Sequence, residues 1–329
     1  MPEKSNFAGH QEAVKQRRRF LCKLDSASKF ESFMDKLTFP LIRFSIFLFG
    51  LLPFRVIYMI SDFVFLVVYY IIRYRKKVVY KNLANSFPEK SKKEINKIAK
   101  QFYHHFCDVF MESGKSFSMS GMALCERYRF LNPGWVDALY DQGKPVVCVA
   151  GHFNNWEWGG IAAGIQMKHR PLGFYKPLTN KAMNDFLLKS RASGRSILAS
   201  ISKTAETFQA WRDEPVAFYM IADQRPSSVR FAYWMKFLNQ DTPVLNGPEK
   251  YARIYNYPVI YADVQKVKRG YYTVEFLMVE AEPVNSNTGE ITRKFMQILE
   301  EKIIKTPQYY LWSHNRWKFT RPENKQLIS

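Results

Sequence analysis

The chain has little with which to staple itself covalently or through a metal. Four cysteines (Cys22, Cys107, Cys125 and Cys148) are scattered over 329 residues and form no CxxC pair. That excludes a secreted disulfide framework and a zinc ribbon, and it points to a reducing compartment. No internal repeat or low-complexity linker divides the chain, so its length fits one large α/β domain or two smaller ones. An uninterrupted apolar run of membrane-spanning length is also missing. The apolar region from Leu41 to Ile72 is broken by Arg43, Pro53, Arg55 and Asp62, and its longest charge-free piece, Phe44 to Phe54, has 11 residues. A clean spanning helix needs about 20. Three readings stay open: an embedded hairpin or single imperfect span, a pair of interfacial helices in one leaflet, or a buried core helix. No cleavable signal peptide is expected, because residues 1–30 are polar and basic, with the run Arg17-Arg18-Arg19.

Acidic residues are scarce as well. Lys and Arg number 49 against 29 Asp and Glu, a net charge of +20. With 47% hydrophobic and 16% aromatic residues, a disordered basic tail protein is excluded. What remains is a globular protein with an anionic partner. A nucleic-acid reading lacks any basic–aromatic recognition module and leaves the N-terminal hydrophobic block unexplained. An anionic membrane surface explains both. The cluster Arg73-Tyr74-Arg75-Lys76-Lys77 follows the apolar region directly, where lipid head groups would lie. By the positive-inside rule it puts the body that follows on the cytoplasmic side.

The rest of the chain reads as helices followed by an α/β body. Ser91-Lys92-Lys93-Glu94 is a capping-box pattern, and Ile95, Ile98, Phe102 and Phe106 follow at helical spacing. Pro145 to Ala150 is a continuous apolar run of strand length, as expected in a sheet covered on both faces; Pro215 to Ala222 is another. Pro258 to Val264 and Tyr271 to Val279 predict a hairpin through Lys268-Arg269-Gly270. Ile291, Phe295, Ile298, Leu299 and Ile303 share one helical face. We therefore expect a mixed sheet flanked by helices behind a helical, hydrophobic N-terminal region.

The chemistry concentrates at Gly151-His152-Phe153-Asn154-Asn155-Trp156-Glu157-Trp158-Gly159-Gly160, which leaves the end of the first apolar strand. Active sites of open α/β sheets collect at that end. Four residues separate His152 from Glu157, near the start of the next helix. The turn can fold the carboxylate onto one ring nitrogen and leave the other to take a proton from a hydroxyl. No serine or cysteine nucleophile lies in the stretch. That favours direct attack by a substrate hydroxyl over an acyl-enzyme.

These residues resemble the GHxGNWE motif of the late acyltransferases of lipid A biosynthesis, the lauroyl and myristoyl transferases. Further segments are similar in the same order: Arg75-Lys76-Lys77-Val78 with Asn82-Leu83 and Ser86-Phe87-Pro88-Glu89; Tyr175-Lys176-Pro177-Leu178-Thr179-Asn180 with Arg191 and Gly194; Ala222-Asp223-Gln224; and Trp312-Ser313-His314-Asn315-Arg316-Trp317-Lys318 with Arg321-Pro322. The resemblance implies a glycerolipid-acyltransferase-like fold in the inner membrane, with its catalytic domain on the cytoplasmic face. It implies His152 as general base and Glu157 as its orienting carboxylate. Arg191, Asp223, Lys176 and Asn155 would be substrate-binding groups, with Arg191 on a phosphate or thioester carbonyl and Asp223 pairing with it. No metal or other cofactor is expected. The donor would be an acyl thioester, on acyl carrier protein rather than coenzyme A, and the acceptor a lipid A precursor. The alternative acceptor is a lysophospholipid or an aminoacyl lipid. Candidate contacts for an acidic carrier are Arg73, Arg75, Lys76, Lys77, Arg316, Lys318 and Arg321. Two departures stand out: Asn154 where the family has Gly, and Lys176 where it has Arg. The implied division is a basic segment 1–38, a membrane-associated segment 39–73, an acyltransferase domain 74–322 and a tail 323–329. Of the remaining histidines, His104 and His105 read as structural or surface residues, His10 and His169 as surface, and His314 as structural.

Overall fold

The computed structural model describes residues 43–177 and 195–328, together with Pro40, Asn184, Asp185 and Leu188. Helix α1 (43–51) stops ahead of Pro53. Helix α2 (Phe54–Leu66) continues into a π-helical stretch, Val67–Ile72. The 19 residues from Phe54 to Ile72 are long and apolar enough to cross a membrane, about 28 Å at 1.5 Å per residue. Met59, Phe63 and Ile71 on this helix are 69%, 66% and 75% exposed, so one apolar face is left uncovered, while Ile57 and Tyr69 are buried against the body. Arg73 and Arg75 then take left-handed backbone angles (φ 55° and 49°) and turn the chain into α3 (Lys76–Ser86). Helix α4 (Lys92–Ser116) opens with the capping box expected at Ser91: its hydroxyl accepts from the Glu94 N–H while the Glu94 carboxylate accepts from the Ser91 N–H.

The body alternates strands and helices: α5 (Gly121–Arg127), β1 (Tyr128–Phe130), α6 (Pro133–Asp141), β2 (Val146–Ala150), α7 (Gly159–Gln166), β3 (Arg170–Tyr175), β4 (Ile197–Ser200), α8 (Thr204–Ala210), β5 (Val216–Ile221), β6 (Tyr233–Phe237), β7 (Gln240–Val244), α9 (Gly247–Tyr255), β8 (Val259–Lys268), β9 (Tyr271–Glu280) and α10 (Glu290–Lys305). Seven strands form one sheet in the order β1-β9-β8-β2-β5-β3-β4, and β6 pairs with β7 apart from it. Every pairing in the large sheet is parallel except β8 with β9. That hairpin turns at Arg269-Gly270, where Gly270 has φ 73° and a Cβ would collide with the Tyr58 hydroxyl.

Central strand β2 shows why its sequence is apolar without alternation. Val147 and Val149 pack against Leu83, Phe102 and Phe295 from α3, α4 and α10. Val146 and Cys148 face the opposite layer, with Leu124, Val136 and Ile161 from α5, α6 and α7. Both faces are covered, so neither can be polar. On α10, Ile291, Phe295, Leu299 and Ile303 are buried as the helical spacing predicts. The C-terminal signature segment is tied to α3, since the Asn82 amide donates to the carbonyls of Trp312 and His314 (2.9 and 3.0 Å).

Candidate active site

Strand register brings the central pair of side chains together. In the parallel pairing of β2 with β5, Ala150 lies opposite Ile221. His152 and Asp223 each stand two residues beyond those positions, side by side at the C-terminal edge of the sheet. The His152 Nδ1 lies 2.6 Å from Asp223 Oδ1. An ionised carboxylate only accepts, so Nδ1 carries the proton and donates it. Nε2 is then the lone-pair nitrogen, and it accepts from the Gln224 amide at 3.0 Å. Burial works against the imidazolium, but the charge and hydrogen bond of Asp223, with a further contribution from Glu157, outweigh it and raise the His152 pKa. Asp223 is itself almost fully buried. Burial favours its protonated form, but His152 and the charge of Arg316 reverse that and hold its pKa below the usual value.

The loop between β2 and α7 shapes the rest. Asn154 has φ 55°, a left-handed conformation that glycine adopts freely and asparagine tolerates better than most residues. Asn154 is therefore compatible with a backbone position that glycine would also occupy freely. The Asn154 side chain donates to the Val264 carbonyl at 2.7 Å. The Trp156 ring meets His152 edge-on, with centroids 5.1 Å apart. Both line a cavity of about 740 Å³ whose wall also includes Glu157, Lys176 and Gln224, with Tyr128, Phe130, Phe174, Met220, Tyr251, Val264 and Val274 supplying apolar surface. This volume lies within the usual range for small-molecule sites.

Several expectations need correction. The Nδ1 partner of His152 is Asp223, not Glu157. Asp223 reaches the ring from the neighbouring strand, whereas Glu157 contributes charge from the cavity wall. Asp223 is hydrogen-bonded to His152 and also feels the charge of Arg316; Arg191, its expected partner, lies outside the described residues. Asn155 is fully buried: its amide donates to Glu112 Oε2 at 2.8 Å, and its carbonyl accepts from the Trp158 N–H at 3.2 Å. Asn155 is thus held inside the body, and His152, Trp156 and Glu157 are the residues of its loop that line the cavity. Lys176 is exposed and does line the cavity. Arg316 is not a surface contact for a carrier protein but is 1% exposed, donating to the Pro243 carbonyl beside Asp223. Arg321 pairs with Asp241 at 2.8 Å, Arg75 donates to the Ser313 carbonyl, and Lys76 sits over the Tyr69 ring. Arg73, Arg75, Lys77 and Lys318 remain exposed. His169 is buried, bonded to the Lys144 carbonyl, rather than at the surface. His314 accepts from the Arg225 N–H, and burial pushes its pKa down to about 4. Gln224, which donates to His152, is not among the expected site residues; its place beside Asp223 in Ala222-Asp223-Gln224 at a strand end is the signal that finds it. Among the described residues, Asp62, His104 and Asp108 bring possible metal-ligand atoms within 4.8 Å of one another. Arg269 already bridges that group, 2.6 Å from Asp62 and 2.5 Å from Asp108.

The sheet edge of this α/β protein carries a His–carboxylate pair facing a largely apolar cavity, and the family match makes it an acyltransferase. The chain belongs to the family described as bacterial lipid A biosynthesis acyltransferase, which it matches over residues 30–319. It is 22% identical over 267 residues to the lipid A biosynthesis palmitoleoyltransferase of Escherichia coli K12, covering 77% of this chain and 82% of that protein. To the lipid A biosynthesis lauroyltransferase of the same organism it is 22% identical over 274 residues, covering 83% and 88%. A lipid A biosynthesis acyltransferase of Shigella flexneri matches at 22% as well.

Proposed function

We propose that this protein moves a fatty acyl chain from an acyl thioester to a hydroxyl of a lipid A precursor, with His152 as general base and Asp223 holding its tautomer. The observation that carries the reading is the His152 ring itself: Nδ1 is committed to a buried carboxylate at 2.6 Å, which in the neutral ring leaves Nε2 as the lone-pair nitrogen, on a residue that lines the apolar cavity. The acceptor hydroxyl takes the place of the Gln224 amide at Nε2 and gives up its proton as its oxygen attacks the thioester carbonyl. The new C–O bond forms, the C–S bond breaks, and His152 returns the proton to the departing thiolate. Asp223 stabilises the imidazolium that exists between those steps, and Glu157 adds negative charge from the wall. Lys176, at the rim, binds an anionic part of either substrate.

The donor in this reading is acyl carrier protein, an acidic partner suited to a chain of net charge +20. Helix α2 and its π-helical extension anchor the protein in the inner membrane, and the basic cluster from Arg73 to Lys77 that follows puts the body on the cytoplasmic face. The test uses membranes carrying the protein, an acyl carrier protein thioester and a tetra-acylated lipid A precursor bearing its sugar acids. Mass spectrometry is expected to find one added acyl chain, lost in His152→Ala. A gain that persists in His152→Ala overturns the general-base role. Acylation of a lysophospholipid or an aminoacyl lipid instead moves the acceptor and leaves the mechanism.

A further inference from the structure

Glu112 is a carboxylate that the proposed chemistry does not use, and it is fully buried in the second half of α4. Its hydrogen bonds run to separate parts of the chain. Oε1 accepts from the Tyr58 hydroxyl of α2 at 2.9 Å. Oε2 accepts from the Asn155 amide and from the Tyr272 hydroxyl of β9, both at 2.8 Å. Its backbone carbonyl accepts from the Trp158 indole at 3.0 Å. Burial pushes its pKa up to about 7 against those donors, and a carboxyl group in this place carries a desolvation cost that an apolar side chain would avoid. What the carboxylate supplies, and an apolar side chain does not, is a directional hold on several elements at once.

The held residues decide what that hold is for. Asn155 and Trp158 bracket Trp156 and Glu157, the two loop residues that share the cavity wall with His152. The other half of the loop is clamped independently, with the Asn154 N–H donating to the Tyr309 carbonyl and the Leu311 N–H to the His152 carbonyl. Resting on the acyl-transfer reading, we propose that Glu112 is a positioning residue: it fixes the segment from Asn155 to Trp158, so that Trp156 and Glu157 face His152, and through Tyr58 it ties that segment to the apolar helix α2. The catalytic loop and the membrane-type helix thereby share one buried anchor.

The experiment compares the full chain with Glu112→Gln and Tyr58→Phe in membranes and purified in detergent. Glu112→Gln keeps the shape but cannot accept from all three side-chain donors. It is expected to lower kcat about tenfold or more, with KM for thioester and glycolipid each changed by less than about threefold, because misplaced groups slow the reaction itself. Tyr58→Phe removes one bond of the set and is expected to lower kcat about threefold. Amide exchange is expected to speed up at residues 152–158 while β2, β5 and β8 keep their protection. Unchanged kcat in Glu112→Gln overturns the proposal. So does exchange that rises across the whole sheet in step with lost activity, because that marks a general role in folding. A KM effect on one substrate with kcat intact also overturns it, since that makes Glu112 a binding determinant. If the wild-type protein transfers no acyl chain, the acyl-transfer reading fails, and local against global exchange still decides whether Glu112 positions the loop.

Discussion

His152 stands between two unlike regions. On its Nδ1 side the surroundings are closed: Asp223, Tyr310 and Arg316 are each at most 3% exposed. On its Nε2 side they are open, with Gln224, Trp156, Glu157 and Lys176 around a cavity of about 740 Å³. The closed side holds a single charge state and geometry. The open side must admit two substrates and let a product leave. A carboxylate on the closed side acts at short range in a poorly screened setting, whereas one on the open wall is partly screened by water. Asp223 should therefore govern the basicity of His152, and Glu157 should modulate it.

The largest effect expected is from the closed side. Asp223→Asn removes the charge that favours the imidazolium and can present the wrong hydrogen-bonding group to Nδ1, so kcat should fall by about 10²- to 10⁴-fold. The pH profile sharpens the test. A base must be unprotonated, so kcat/KM rises with pH through the pKa of His152 in the free enzyme. That pKa is raised, so the acid limb should lie above the ordinary imidazole value of about 6.5. In Asp223→Asn the opposing effect of burial is less compensated, and the limb should move to lower pH. A limb that stays in place would mean that another group titrates there.

Glu157→Gln comes next. It leaves the bond between Nδ1 and Asp223 intact and removes only a contribution from the wall, so we expect a loss of about tenfold in kcat and a smaller acid shift of the same limb. A loss matching that of Asp223→Asn would erase the distinction between the two sides and restore Glu157 as the principal partner of His152.

How much of this was legible in the sequence follows from how far each feature reaches. Strand β2 was readable because a strand covered on both faces leaves a continuous apolar run, and the β8–β9 hairpin because Arg269-Gly270 interrupts two strand-like stretches. The loop carrying His152 was readable because its residues are contiguous. The partner of His152 was not. A sequence shows that apolar strands end near Ala150 and Ala222, but not that these strands are neighbours in register, and only that adjacency puts Asp223 on Nδ1. The partner of Asn155 is hidden for a similar reason: the carboxylate that claims its amide is 43 residues away, at Glu112. Arg316 reads as a surface cation within a basic signature, yet its place beside a buried carboxylate requires no solvent. Short-range pattern reveals elements; the choice among polar partners is made by tertiary packing.

The smallest effect should come from the rim. Lys176 is exposed and lines the cavity, whereas the His152 ring is bonded to Asp223 and Gln224. Its charge can hold an anionic group of a substrate in the ground state and the transition state alike, and such uniform binding sets KM and leaves kcat alone. An exposed lysine contact contributes about 1 kcal/mol or less. Lys176→Ala should therefore raise KM for one substrate by about two- to fivefold, with kcat unchanged and the acid limb of the pH profile in place. Lys176→Arg should retain the wild-type KM, because charge rather than bidentate geometry is what an open rim supplies. Steady-state kinetics with each substrate varied in turn identifies which of the two the rim holds. A fall in kcat in Lys176→Ala would place this lysine at the reacting carbonyl, and the open side of the site would then be as exacting as the closed one.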